Sequence, residues 1–245
     1  MDRIGLWNMR GINGPDKQKD VRWFLQQNKL GLCGLVETKV MSDAEAKVHY
    51  NLGTIWNKVT NNNHYNGGRV WIIWISHIFD VTVIESDTQL IHVEVIDIAA
   101  AEKFWFTVVY GFNEEEDRVS LWNHLIDIKK RVTRPWCICG DFNCVLDYHE
   151  RIGRHVNWRE LIDFRNYVDQ CEVEDIQAKG ALFTWNNKQE PQTRIFSRID
   201  RFMVNMDWMN LYHESYAHFL PEGLFDHTPC VCFRRPDNFR KKPSF

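Results

Sequence analysis

Pro135-Trp136-Cys137-Ile138-Cys139-Gly140-Asp141-Phe142-Asn143 is an apolar run that stops at a glycine and then delivers an aspartate, an aromatic and an asparagine. The pattern predicts a buried strand whose end presents two polar side chains at the margin of a sheet. Gly140 lets the backbone turn there without a Cβ penalty. A carboxylate and a carboxamide two residues apart suit a site that binds a phosphate group near a metal. A strand followed by an ordinary Asx turn is the alternative, so the stretch needs partners from elsewhere in the chain.

The 245 residues predict one large domain with a substantial core. A hydrophobic content of 44% and a charged content of 26% are those of a soluble globular protein. The 11 Trp and 15 Phe supply bulk for packing between layers. A net charge of −3 announces no strong basic field; this counts only mildly against a nucleic-acid binder, since a carboxylate-rich metal site would offset a basic rim elsewhere. The seven cysteines are odd in number. Cys137/Cys139 and Cys230/Cys232 alternate along strands, but CxxC spacing and a histidine at ligand spacing are missing. Reduced core thiols of an intracellular protein are therefore expected, rather than a zinc site. No signal-peptide pattern and no apolar run of about 18 residues is present, so the chain reads as neither secreted nor membrane-spanning.

Working outward, other apolar runs end in the same way. Ile4-Gly5-Leu6-Trp7-Asn8 ends in Asn8, and Leu32-Cys33-Gly34-Leu35-Val36 runs into Glu37. Between them Val21, Phe24 and Leu25 recur at helical spacing. Ser42–Tyr50 predicts a helix and Asn61–Gly68 a flexible polar loop. Arg69–Ile75, Phe79–Ile84, Leu90–Ile96 and Phe104–Tyr110 are β-rich, with turn residues such as Glu85-Ser86-Asp87 between them. Ser120–Val132 and the segment carrying Leu161, Phe164, Val168 and Cys171 predict amphipathic helices. Leu182–Asn186, Arg198–Val204 and Thr228–Phe233 predict strands. Strand, helix, strand and then antiparallel-looking strands occur once in each half, the order expected of two α/β layers packed through their sheets.

The polar residues at or beside these strand ends are Asn8, Glu37, Tyr110, Asp141, Asn143, Asp200, Asp226 and His227. Phosphodiester hydrolysis needs a hard cation held by carboxylates, a base for water and donors for developing negative charge, and this set contains each part. A Walker loop, a Gly-x-Ser-x-Gly elbow and a His-Glu-x-x-His helix are missing, which removes those chemistries.

The chain resembles the endonuclease/exonuclease/phosphatase family, and within it the endonuclease domains of plant LINE-type (non-LTR) retrotransposons. The resemblance rests on Trp7-Asn8-Met9-Arg10-Gly11, Leu35-Val36-Glu37-Thr38-Lys39, Val108-Val109-Tyr110-Gly111, Gly140-Asp141-Phe142-Asn143, Phe183-Thr184-Trp185, Arg198-Ile199-Asp200-Arg201 and Asp226-His227, in that order. It implies an α/β (α+β) fold, a four-layer α/β/β/α sandwich of two packed mixed sheets flanked by helices. The domain would cover residues 1–233, with 234–245 as a basic linker or tail.

The resemblance further implies that Glu37 is the principal ligand of a Mg²⁺ ion (Mn²⁺ substituting), with Asn8 beside it and Asp226 near the metal. Asp141 would align or deprotonate the attacking water, and Asn143 would steady a phosphate oxygen. His227 would donate to the scissile phosphate while Asp200 orients its ring, and Tyr110 would contribute a phosphate-contacting hydroxyl. Thr184 resembles a residue of the DNA-facing rim, Arg10 and Lys39 flank the site as phosphate contacts, and His92 reads as structural. The implied activity is nicking of one strand of double-stranded DNA in the nucleus, leaving a 3′-hydroxyl for a covalently linked reverse transcriptase domain of a longer polyprotein. The isolated domain would be a monomer.

One departure stands out: Phe225 occupies the place where the family usually has Ser before the Asp-His pair. It raises a competing expectation of a weakened or degenerate copy that binds nucleic acid without cutting it. Abasic-site or phosphoinositide substrates are a third expectation on the same fold. Target preference would rest on the loops Asn61–Gly68 and Ile152–Trp158.

Overall fold

The computed structural model describes residues 3–64, 67–221 and 225–235. Within it two large mixed sheets pack face to face between pairs of helices. The first has seven strands, which in spatial order are Ala178–Gly180, Tyr216–Phe219, Cys230–Phe233, Arg3–Asn8, Leu30–Val36, Val70–Ile75 and Trp56–Thr60. The second has six: Val173–Asp175, Asp200–Asn205, Trp136–Asp141, Glu102–Tyr110, Leu90–Asp97 and Phe79–Ser86. A third, three-stranded sheet is built from Trp185–Asn186, Phe196–Ser197 and Arg151–Ile152.

Alternation along the strands sorts the apolar side chains into three layers. Ile4, Leu6, Leu32 and Ile72 of the first sheet meet Val93, Phe106, Val108 and Cys139 of the second in the central core. The opposite face of the first sheet, with Trp7, Leu35 and Trp71, is covered by Val21, Phe24 and Val48 from the helices Pro15–Gln27 and Glu45–Leu52. Trp136, Ile138 and Met203 on the outer face of the second sheet are covered by Leu121, Trp122, Phe164 and Tyr167 from the helices Glu115–Lys129 and Trp158–Cys171. The four-layer α/β/β/α arrangement expected from the sequence is therefore present.

Gly34 allows the sheets to approach closely, since a Cβ there would lie 2.8 Å from Cγ2 of Val108. Gly140 does not make a turn. It lies inside the strand Trp136–Asp141 at φ 152°, where a Cβ would collide with the Val109 carbonyl oxygen on the neighbouring strand.

Some local expectations need correction. Asn61 and Asn62 are not part of a loose loop: Asn61 is fully buried, donates to the carbonyls of Asp87 and Thr88, and accepts the Arg69 and Val70 amides. A buried carboxamide replaces the missing backbone ladder at this bend, a role that Asn composition alone does not reveal. Tyr65 and Asn66 lie outside the described residues, as do residues 222–224. The predicted strand Leu182–Asn186 shrinks to Trp185–Asn186. Arg234, placed by the sequence in the basic tail, is buried, with Nη2 2.6 Å from the Asp97 carboxylate and its guanidinium over the rings of Phe79, Phe104 and Tyr212. Arg235 beside it pairs with Glu102, and residues 236–245 of that tail lie outside the described residues. None of the seven cysteines forms a disulfide and all are buried, and burial pushes the Cys137, Cys139 and Cys230 thiols up. His92 is also buried, bonded through Nδ1 to Thr107 Oγ1 at 2.7 Å, and burial lowers its pKa to about 4. It is a neutral core residue.

Candidate active site

Strand pairing brings the polar residues together. In the second sheet Asp141 is the register partner of Tyr110 on one side and of Asp200 on the other. In the first sheet Asn8 is the register partner of Val36, so Asn8 and Glu37 emerge at one margin. The two margins meet where the Asn8 Nδ2 donates to Asp141 Oδ2 at 2.8 Å. Asn8 Oδ1 in turn accepts the Arg10 amide at 3.0 Å, so both ends of this carboxamide are committed within the protein.

The backbone around this junction is held in a rare conformation. Arg10, Glu37, Lys39 and Asn143 have φ of 46°, 52°, 54° and 52°, the left-handed region that non-glycine residues seldom occupy. Each lies within three residues of a strand end. Asn143 is fixed by its amide donating to Asp141 Oδ1 at 2.8 Å and its Nδ2 donating to the Gly111 carbonyl at 2.7 Å.

His227 enters from the small sheet side, through an antiparallel bridge with Trp185. Its Nδ1 lies 3.0 Å from Asp200 Oδ2, and its Nε2 lies 3.9 Å from Asp141 Oδ2. All three groups are buried, at 5%, 1% and 1% side-chain exposure. Burial on its own would lower the His227 pKa, but the Asp200 carboxylate, helped by Asp141 and Asp226, raises it above the ordinary value. Burial first and the Asp200 charge second push Asp141 up, against the pull of His227. Tyr110 is likewise raised, by burial and then by the charges of Glu37 and Asp141, and stays a neutral O–H donor.

The three buried groups Asp141, Asp200 and His227 come close enough to suggest a metal cluster. Their chemistry argues otherwise, because an imidazole kept protonated by Asp200 has no lone pair to give a cation. The hard oxygen donor free of that network is Glu37, whose Oε1 lies 2.7 Å from the Nζ of the exposed Lys39. A carboxylate neutralised by an exposed lysine can exchange that partner for a divalent ion, so the residues present fit such a group. Asp226 is paired with Arg10, and against the effect of burial the charge of His227, then the Arg10 guanidinium, hold its pKa below the ordinary value.

Glu37, Tyr110, Asp141, Asn143, His227 and Arg10 all line one cavity of about 420 Å³. Asp200 stands behind His227, and Asn8 behind Asp141. Thr184 is misplaced by the sequence reading: it is fully buried and cannot face DNA. Its Oγ1 accepts the amides of Ile199 and Asp200 at 3.1 and 3.0 Å, while its carbonyl accepts the Thr228 amide. It therefore links the strand carrying Asp200 to the segment carrying His227. The residue that reaches the cavity is its neighbour Trp185, together with Arg118, Arg151 and Arg154. These were legible only as an aromatic and as scattered basic positions.

Phe225 does not line the cavity. Its ring packs edge-on against Trp7 at 5.1 Å between centroids, beneath Lys17 Nζ at 5.5 Å. Lys17 also donates to the carbonyls of Met9 and Arg10. The ring thus packs against Trp7 and the first helix, outside the cavity that His227 lines.

No curated protein sequence matches the chain significantly. Among solved structures, the endonuclease domain of TRAS1, a telomere-specific non-LTR retrotransposon, is 13% identical with a TM-score of 0.69, covering 97% of this chain and 100% of that one. The AP endonuclease LMAP from Leishmania major is 16% identical with a TM-score of 0.74, covering 96% and 88%. The 3′ phosphatase NExo from Neisseria, bound to a product DNA hairpin, is 18% identical with a TM-score of 0.68, covering 95% and 99%. These likenesses establish the fold. A profile of the Endonuclease/Exonuclease/phosphatase family matches residues 5–220, and the chain belongs to that family.

Proposed function

We propose that the chain is a Mg²⁺-dependent DNA endonuclease that cuts one strand and leaves a 3′-hydroxyl, as the nicking domain of a plant LINE-type retrotransposon. The observation that carries this reading is the convergence of Glu37, Tyr110, Asp141, Asn143 and His227 on one cavity. Enzymes of this family are typically divalent-metal dependent, and Glu37 offers a hard carboxylate oxygen at the cavity wall. The likeness to a non-LTR retrotransposon endonuclease domain, over the whole of that chain, supports the retrotransposon assignment.

A divalent ion held by Glu37 would supply positive charge against the negative charge that builds on the phosphate. The protein's own groups do the rest. Asp141, with its raised pKa, is suited to accept a proton from an attacking water. His227 is held charged and oriented by Asp200, so its Nε2–H can donate to a phosphate oxygen. Tyr110 adds a second donor, and Arg10 and Lys39 add exposed positive charge beside the site. Thr184 supports Asp200 from behind instead of touching DNA.

In the full-length protein the partners would be double-stranded DNA and a covalently linked reverse transcriptase domain, acting in the nucleus, with the isolated domain a monomer. Among the described residues no helix is long and apolar enough to cross a membrane. Nicking of plain duplex, set against an abasic duplex and a phosphoinositide headgroup, tests the substrate class. Preference for plain duplex supports the reading, and cleavage of only the other two contradicts it.

A further inference from the structure

The cavity wall also carries three guanidinium groups that the chemistry above does not use: Arg118, Arg151 and Arg154. Arg118 sits on the helix Glu115–Lys129 and is 4% exposed. Its Nη1 donates to the carbonyls of Phe112 and Asn113, both at 2.7 Å. Arg151 is anchored through Nε to Ser197 Oγ at 3.0 Å and through Nη1 to Glu160 Oε2 at 2.8 Å. Arg154 is exposed beside them.

Each anchored arginine keeps part of its fork open. Among the described residues no acceptor takes Nε or Nη2 of Arg118, or Nη2 of Arg151. None of these atoms is among those sealed from solvent without a partner, so they keep contact with solvent on residues that line the cavity. A guanidinium fixed on one edge and open on the other is preorganised to grip phosphate oxygens. Three carboxylates share the wall. Glu160 is engaged by Arg151, while Glu114 and Glu115 lie at the positive N-terminal end of the helix Glu115–Lys129.

We propose that Arg118, Arg151 and Arg154 form a second anion site, holding an unreacting phosphate of the substrate chain while a neighbouring phosphodiester lies at Asp141 and His227. The proposal rests on the phosphodiesterase reading of the shared cavity. It makes the cavity a two-phosphate reader whose second contact sets register along the strand. The bound group is either an internal phosphodiester or a terminal phosphomonoester.

The test uses protein carrying Asp141→Asn in EDTA, so that DNA binds without being cut. Arg154→Gln and Arg118→Gln are each expected to weaken duplex binding about tenfold and to reduce the slope of log affinity against log salt by about one. Neutralising single phosphates as methylphosphonates should reproduce that loss at one position only, and should add nothing there in Arg154→Gln. Arg154 is exposed, so its variant remains decisive if Arg118→Gln fails to fold. Duplexes with and without a terminal phosphate at the cut end assign the source: tighter binding abolished by Arg154→Gln marks the monoester.

Unchanged affinity in Arg154→Gln, or losses additive with methylphosphonates at every position, overturns the site. If the parent protein binds no DNA but inorganic phosphate still shifts the Arg118 and Arg154 Nε–H NMR signals, the anion site stands and the nuclease reading falls. Silence toward both DNA and inorganic phosphate overturns both.

Discussion

Asp200 and His227 form a buried ion pair, with Asp200 Oδ2 3.0 Å from Nδ1 of the ring, and the pair fixes which nitrogen faces the cavity. The pairing strand places Asp200 directly beside Asp141, so in the proposed mechanism one carboxylate would orient the acid while the other would serve as base. Asp200→Asn keeps the shape and removes the charge. The His227 proton should then be lost at lower pH than in the parent, because the carboxylate that raised its pKa is gone. Since the charged ring is the donor, activity should fall on the alkaline side at correspondingly lower pH. The rate at neutral pH should drop by about 100-fold or more. An NMR titration of His227 beside the pH–rate profile checks both.

Thr184→Val probes the buried hydroxyl that holds the Ile199 and Asp200 amides. The hydroxyl holds two buried amides, so its removal should cost about 1–3 kcal/mol in urea denaturation. Nicking should fall while DNA affinity stays close to that of the parent. Thr184→Ser should restore most of both losses.

Phe225→Ser separates an obstructed site from an open one. Because the ring packs on Trp7 and under Lys17, away from the cavity, restoring the family's hydroxyl should give no large gain in nicking. It should lower stability by about 1 kcal/mol or more through lost aromatic packing. A large gain in turnover with unchanged stability would show that Phe225 blocks the site.

Lys39→Ala removes the cation that now neutralises Glu37. Divalent-ion affinity, read by calorimetry without DNA, should rise about three- to tenfold, since the ion no longer competes with an internal charge. The same variant should bind DNA more weakly and with a shallower salt dependence.

The readable part of this molecule was its strand ends. Asn8, Glu37, Tyr110 and Asp141 each follow a contiguous apolar run, so local pattern and function coincide. Pairing between runs distant in sequence then aligns them, and order along the chain was enough to suggest it. The unreadable parts depend on tertiary contact. Thr184 looked like a rim residue because nothing local tells a buried hydroxyl from an exposed one. Asn61 looked like loop composition, while its four hydrogen bonds reach residues 69, 70, 87 and 88. Arg234 looked like tail charge until Asp97, at the far end of another strand, supplied its partner. Short polar strands such as Ala178–Gly180 carry no apolar period at all.

Metal-dependent cutting of one DNA strand at the proposed Asp141–His227 centre can be read on supercoiled plasmid. Supercoiled plasmid incubated with Mg²⁺ should convert to the nicked circle with 3′-hydroxyl ends, and EDTA, Asp141→Ala or His227→Ala should each prevent it. Plasmid left supercoiled by the parent protein in Mg²⁺ and Mn²⁺, or nicked equally by all three proteins, would contradict the account.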